Sequence, residues 1–177
     1  MLERPNPIIR RAARDEIAEI ADLVAAAIET FRGIVRDKVL DLYIQHSRDA
    51  VARWNHDVLV VEAEGRLAGT VTYVDRTHEA GYGLPADWST FRTLAVHPSA
   101  RGRGLGAALV QHCIETARRD GASVLGIHAG AFMAIARGMY KRAGFVRCPE
   151  YDLFASGVFD FDPSEGDVLV AAYRLDL

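Results

Sequence analysis

One stretch constrains this chain more than any other. Over residues 94–107 an apolar run (Leu94, Ala95, Val96, His97) stops at Pro98, and a turn carrying Arg101, Gly102, Arg103 and Gly104 follows; an apolar helical pattern then begins with Leu105, Gly106 and Ala107. A strand that passes through a glycine turn directly into a helix builds a cradle for an anion. Glycine lets the backbone approach a ligand and take positive φ, and the first helical turn presents unpaired N–H groups at the positive end of its dipole. Arg101 and Arg103 add charge. A charge-assisted hydrogen bond from each contributes about 1.5–3 kcal/mol, against about 0.3–1 kcal/mol for the dipole. A pyrophosphate fits such a turn.

The same glycines satisfy the loose dinucleotide pattern Gly102-x-Gly104-x-x-Ala107, but in that fold the glycines follow the strand almost at once and an acidic residue waits at the end of the next strand. Here four residues from Pro98 to Arg101 intervene, and the next strand candidate ends in His128, Ala129 and Gly130. A nicotinamide-dependent oxidoreductase is therefore the third reading of this chain. Read instead as Arg101-x-x-Gly104-x-Gly106 behind Leu-Ala-Val-His-Pro, the stretch resembles the acyl-CoA-binding motif of the GCN5-related N-acetyltransferases. Tyr140, four residues before Gly144-Phe145, resembles the second signature of that family. Two motifs in the right order, with a motif core over about residues 90–145, are far more specific than either alone.

Totals narrow the class. A length of 177 residues favours one domain, residues 1–177, that buries about 70% of its unfolded surface. The net charge is −3 with dispersed cations, which gives nucleic acid nothing to bind. No apolar run approaches the roughly 20 residues of a membrane span, and residues 1–7 lack the apolar core of a leader, so a cytoplasmic protein without a membrane partner is expected. Cys113 and Cys148 show no metal spacing and no disulfide framework. Cys113 reads as a small core residue, and no metal site is expected.

In chain order, Ile8 to Ala12 reads as a short strand, and Asp15 as the N-cap of a helix with apolar positions at Ile17, Ile20, Val24 and Ile28. A second helix runs through Val39, Leu40, Tyr43 and Ile44 to about Ser47. Residues 58–63 and 67–74 form a hairpin across Glu64-Gly65-Arg66. The segment 76–89, with His78, Glu79, Tyr82 and Trp88, is either an ordinary surface loop with one ring in the core or a wall facing substrate. The strand 90–96, a helix from Gly104 to about Asp120, the strand 123–129, a helix 133–142 and two further strands complete an α/β chain. Its alternation predicts a mixed central sheet with helices on both faces.

The resemblance implies more. Acetyl-CoA is the acyl donor, and the acceptor is a primary amine of a small molecule or peptide that attacks directly within a ternary complex. The backbone of Leu94, Ala95 and Val96 pairs with the pantetheine arm; Arg101, Gly102, Arg103, Gly104, Leu105, Gly106 and Ala107 hold the pyrophosphate; Tyr140 protonates the departing thiolate. A tyrosine near pKa 10 giving its proton to a thiolate near 8.5 is uphill by only about 2 kcal/mol, whereas deprotonating an alkylamine at pH 7 costs about 4–5 kcal/mol. A base is needed, yet Thr90 and Arg92 stand where relatives often carry a glutamate, which leaves Glu79, Asp87 and His128 as candidates. Met133 stands where relatives often have an asparagine. Residues 30–35 and 155–166 flank the acceptor, and the acidic run Asp160, Asp162 and Glu165 suits a cationic amine. Two readings stay open beside catalysis: a non-catalytic acyl-CoA-binding sensor, and a homodimer of either.

Overall fold

The computed structural model of the protein describes residues 7–53, 58–78 and 81–177. Residues 1–6, which bear on a leader, and the candidate base Glu79 lie outside the described residues. Four helices, α1 (Ile17–Glu29), α2 (Asp37–Arg53), α3 (Leu105–Arg119) and α4 (Ala134–Arg142), accompany eight strands among the described residues. The strands are β1 (Ile9–Arg11), β2 (Val58–Ala63), β3 (Arg66–Val74), β4 (Ser89–Val96), β5 (Val124–Gly130), β6 (Val146–Arg147), β7 (Leu153–Phe154) and β8 (Leu169–Asp176). They form one mixed open sheet in the order β1-β2-β3-β4-β5-β8-β6, with β7 also on β8. No helix among the described residues is long and apolar enough to cross a membrane.

Strand alternation divides the apolar side chains between two layers. Val61, Val71, Phe91, Leu125 and Tyr173 face α3 and α4, which contribute Leu109, Val110, Cys113, Ile114 and Tyr140. Val58, Val60 and Ala95 face α1 and α2, meeting Ile20, Val24, Ile28, Leu40 and Val51. Helices therefore cover both faces, as the alternation predicted, and Cys113 is a fully buried core residue. The β2–β3 hairpin closes through Glu64 at φ 55° and Gly65 at φ 73°, the two left-handed residues of a twist-matched two-residue turn.

Two local readings change. Asp15 does not cap α1. A short 3-10 turn, Arg14–Glu16, precedes the helix, and Glu16 accepts the Ala13 amide at 2.7 Å. Arg10 grips the other side of that carboxylate at 2.7 Å, which is why the glutamate rather than the aspartate organises the entry. The second helix continues six residues past Ser47 to Arg53, because Ala50 and Val51 prolong its buried stripe.

The feature that positions everything else is where β4 meets β5, the parallel pair in this sheet. Their ladder has only two rungs, Ser89↔Leu125 and Thr90↔Gly126, although both strands continue. The Thr90 hydroxyl donates to Gly126 O at 2.9 Å and locks the last rung. Beyond it the β3–β4 register shifts between Thr70 and Thr72, and Thr93 takes φ 50°. A β-branched residue at positive φ is strained by about 1–3 kcal/mol. The hydroxyls of Thr72 and Thr93 bond at 2.8 Å and hold the bulge. β4 thereby bends away from β5, and the sheet opens into a V between Leu94–Val96 on one arm and His128–Gly130 on the other.

Candidate active site

At one end of the V lies the glycine turn. Gly102 and Gly104 stand at φ 79° and 81°, with Gly104 as the left-handed N-cap of α3. A Cβ at either would meet nothing within 4 Å, so conformation rather than crowding demands glycine here. The first α3 bond runs from the Ala108 amide to Gly104 O at 3.0 Å, which leaves the amides of Leu105, Gly106 and Ala107 as the donors of the helix's first turn. Gly106 packs close to Met139 and Val96, its ideal Cβ lying 3.4 Å from the sulfur of Met139. The turn thus joins α3, α4 and β4 at one point.

The two arginines of the turn go elsewhere. Arg101 donates to Ala27 O at 3.1 Å and to the Thr30 hydroxyl at 3.2 Å, and so ties the turn to the carbonyl end of α1. Arg103 reaches Glu64 at 2.6 Å on the β2–β3 hairpin. Both arginines expected at the anion have protein partners in this structure, and the first-turn amides of α3 remain as donors at the turn.

Tyr140 arrives from α4 on the α3 side of the sheet. It is 4% exposed and sits edge-on to Phe91, with ring centroids 5.8 Å apart, while Phe145 and Tyr173 pack at 5.9 and 6.3 Å. Burial, with smaller contributions from Tyr43 and Cys113, raises its phenol above the ordinary tyrosine range. Tyr43 of α2, in the opposite helical layer, is pushed up to about 12, by burial first and by Tyr82 second.

On the α2 side, an aromatic and imidazole cluster lines the opening. Phe132 meets Phe31 edge-on at 4.8 Å; Tyr43 and His46 pack on Phe159 at 6.1 and 5.3 Å. His46 Nε2 and the Tyr82 hydroxyl share a hydrogen bond. His128 Nε2 lies 2.8 Å from Tyr151 O, a contact that makes Nε2 the donor and leaves Nδ1 as the ring's acceptor. Burial foremost lowers the proton affinity of His46 and of His128, with Arg92 adding to the effect on each. Burial thus favours the neutral ring in both.

Of the candidate bases, His128 lies in the V, two residues beyond the last β4–β5 rung, whereas Asp87 is exposed on the β3–β4 connection. Two members of the acidic run are engaged, while Asp160 is exposed: Asp162 accepts the Ser164 amide at 2.8 Å, and Glu165 binds Lys38 at 2.6 Å. Trp88 is the core ring of its loop, lying over Gly126, where a Cβ would come within 2.9 Å of it. Tyr82 is the ring that faces the opening. Sequence reasoning missed Tyr43, His46 and the Thr93 bulge, since the first two read as ordinary helix positions and the third depends on strand pairing. Among the described residues no group of three or more metal-ligating side chains converges.

A family model described as the acetyltransferase (GNAT) family matches residues 20–145. An L-methionine sulfoximine/L-methionine sulfone acetyltransferase of Pseudomonas paraeruginosa is 33% identical over 98 residues, 55% of either chain. The match spans about half the length of that curated relative. Among solved structures, a GCN5-related N-acetyltransferase from Rhodopseudomonas palustris superposes with a TM-score of 0.76 at 17% identity, covering 100% of this chain and 99% of the other. An acetyltransferase of Salmonella typhimurium, solved with its cofactor acetyl-CoA, gives a TM-score of 0.66 at 22% identity over 97% and 94% of the two chains.

Proposed function

Since the chain belongs to the acetyltransferase (GNAT) family, we propose that it moves an acetyl group from acetyl-CoA to a primary amine of a small molecule, by direct attack within a ternary complex. Residues 1–177 act as one domain in this reading, and the enzyme works in the cytoplasm. The observation that carries it is the opening between β4 and β5, whose ladder stops after two rungs, with the left-handed Gly104 and the first-turn amides of α3 beside it. Left-handed glycines and free first-turn amides suit the pyrophosphate of CoA, and the backbone of Leu94, Ala95 and Val96, which pairs with β3 but has no rung to β5, suits its amide-rich arm. Relatives named as L-methionine sulfoximine/L-methionine sulfone acetyltransferases favour a small acceptor over a peptide.

Acetyl-CoA supplies the acetyl thioester. His128 Nδ1 takes the proton that the amine sheds as its nitrogen bonds to the carbonyl carbon. Tyr140 gives its hydroxyl proton to the sulfur as the carbon–sulfur bond breaks. The burial that raises the phenol also raises any thiol formed beside it, so donor and acceptor stay matched to within the small uphill step a tyrosine and a thiolate already show. General acid catalysis of this kind contributes about 10²–10⁴-fold. Tyr140→Phe is therefore expected to lower turnover at least tenfold while leaving calorimetric acetyl-CoA affinity unchanged. Unchanged turnover would remove Tyr140 from the reaction. Thiol release with any amine excludes a binding-only sensor.

A further inference from the structure

Arg92 stands on β4 as His128 stands on β5. The last rung joins Thr90 to Gly126, so two residues further on both side chains leave the same face of the sheet, at the vertex of the V. The ring of Tyr82 bridges them. Arg92 Cζ lies 4.8 Å from its centroid, and the His128 ring meets it edge-on at 6.4 Å. Tyr82 is a non-glycine residue at φ 53°, between Gly81 at 70° and Gly83 at 74°, and its hydroxyl is fixed by His46. A Cβ at Gly81 would fall 2.9 Å from Arg92 Nη2, so the loop is moulded on the guanidinium. Strain kept in a ring that touches a cation and a base marks a site rather than a linker.

Beside this group opens a cavity of about 360 Å³ whose walls include Tyr82, Tyr151, Leu153 and Val158. Its lining also holds two acidic residues, Glu150 and Asp152. Asp152 is held by both nitrogens of the Arg147 guanidinium at 2.7 Å and by the Ala172 amide at 2.8 Å, and Glu150 is exposed. Glu165 is engaged by Lys38 and Asp162 by its own turn.

Resting on the transferase reading above, we infer that the acceptor is an α-amino acid: its amine faces His128, its carboxylate binds Arg92, and its side chain enters the cavity beside Tyr82. In such a molecule the nitrogen and the carboxylate share one carbon, so base and cation must be neighbours, as Arg92 and His128 are. A guanidinium has five donors, enough to keep protein contacts and receive a carboxylate together. The cavity is at the small end for ligand sites and suits a side chain of amino-acid size.

The test compares L-amino acids, L-methionine sulfone included, each with its α-amide and its decarboxylated amine, by thiol release from acetyl-CoA. The wild-type protein should prefer the acid by about 10- to 100-fold in kcat/KM, the range of a charge-assisted bidentate pair. The amide's amine is the weaker base and is more easily freed of its proton, so such a preference runs against intrinsic reactivity. Arg92→Met should raise KM for the acid and erase the preference, and Arg92→Lys should restore part of it, with acetyl-CoA affinity by calorimetry confirming that each variant is folded. Equal use of acid, amide and amine by the wild-type protein would overturn the inference and leave the transferase reading standing. Acetyl-CoA binding with no thiol release from any amine would overturn both.

Discussion

Thr93 and Gly104 do opposite things with the same backbone region. Gly104 occupies φ 81° at no steric cost, and Thr93 occupies φ 50° against its side chain's preference. Gly104→Ala should destabilise the fold by about 1–2 kcal/mol, the left-handed penalty for a residue with a Cβ, and tilt the first amides of α3 so that acetyl-CoA binds about tenfold more weakly. Thermal unfolding and calorimetry on the same variant check both. An unchanged affinity would mean that the amides are not the cradle. Gly104 was legible in the sequence because only glycine accepts that conformation cheaply. Thr93 was not, because its φ follows from a register shift against β3. Nor was the destination of Arg101, which depends on tertiary packing to bring the last turn of α1 within reach.

At the scale of elements, β8 is the spine of the site's far wall, pairing with β5, β6 and β7. Arg147 and Asp152 staple it: the guanidinium reaches Ala172 O at 2.6 Å and the carboxylate takes the Ala172 amide at 2.8 Å. With side chains 30% and 18% exposed, solvent screening keeps this pair below a buried one. Asp152→Asn should cost about 1–2 kcal/mol by the loss of charge-assisted bonds, read as a lower midpoint in urea with an unchanged slope. A midpoint equal to wild type would show that the two backbone bonds of β8 suffice. The long elements were legible, since α1 and α3 bury regular apolar stripes and β2 and β3 are runs rich in β-branched residues on either side of Glu64-Gly65. β7 was not: two residues, Leu153 and Phe154, carry no period and become a strand only because β8 offers an edge.

Across the molecule His46, His112 and His128 are half-buried, and that burial lowers the proton affinity of each. The unfolded chain then binds more protons than the folded one below the ordinary imidazole pKa of about 6.5, so stability falls as pH drops through that value. Carboxylates add to the loss only at lower pH, because Arg10 holds Glu16 at about 2 and Arg147 holds Asp152 below its usual range. The melting temperature should decline between pH 7 and 5.5, and His112→Gln, on α3 away from the V, should flatten part of that decline without changing turnover. A flat profile in the wild-type protein would contradict the burial of these rings.

Acetyl-CoA is expected to occupy the V and its glycine cradle. Calorimetric titration of the purified protein with acetyl-CoA, with NADH in a parallel cell, should show one acetyl-CoA bound per chain, weakened by Gly104→Ala, and no heat from NADH. Folded wild-type protein that ignores acetyl-CoA, or binds NADH in its place, would contradict that placement.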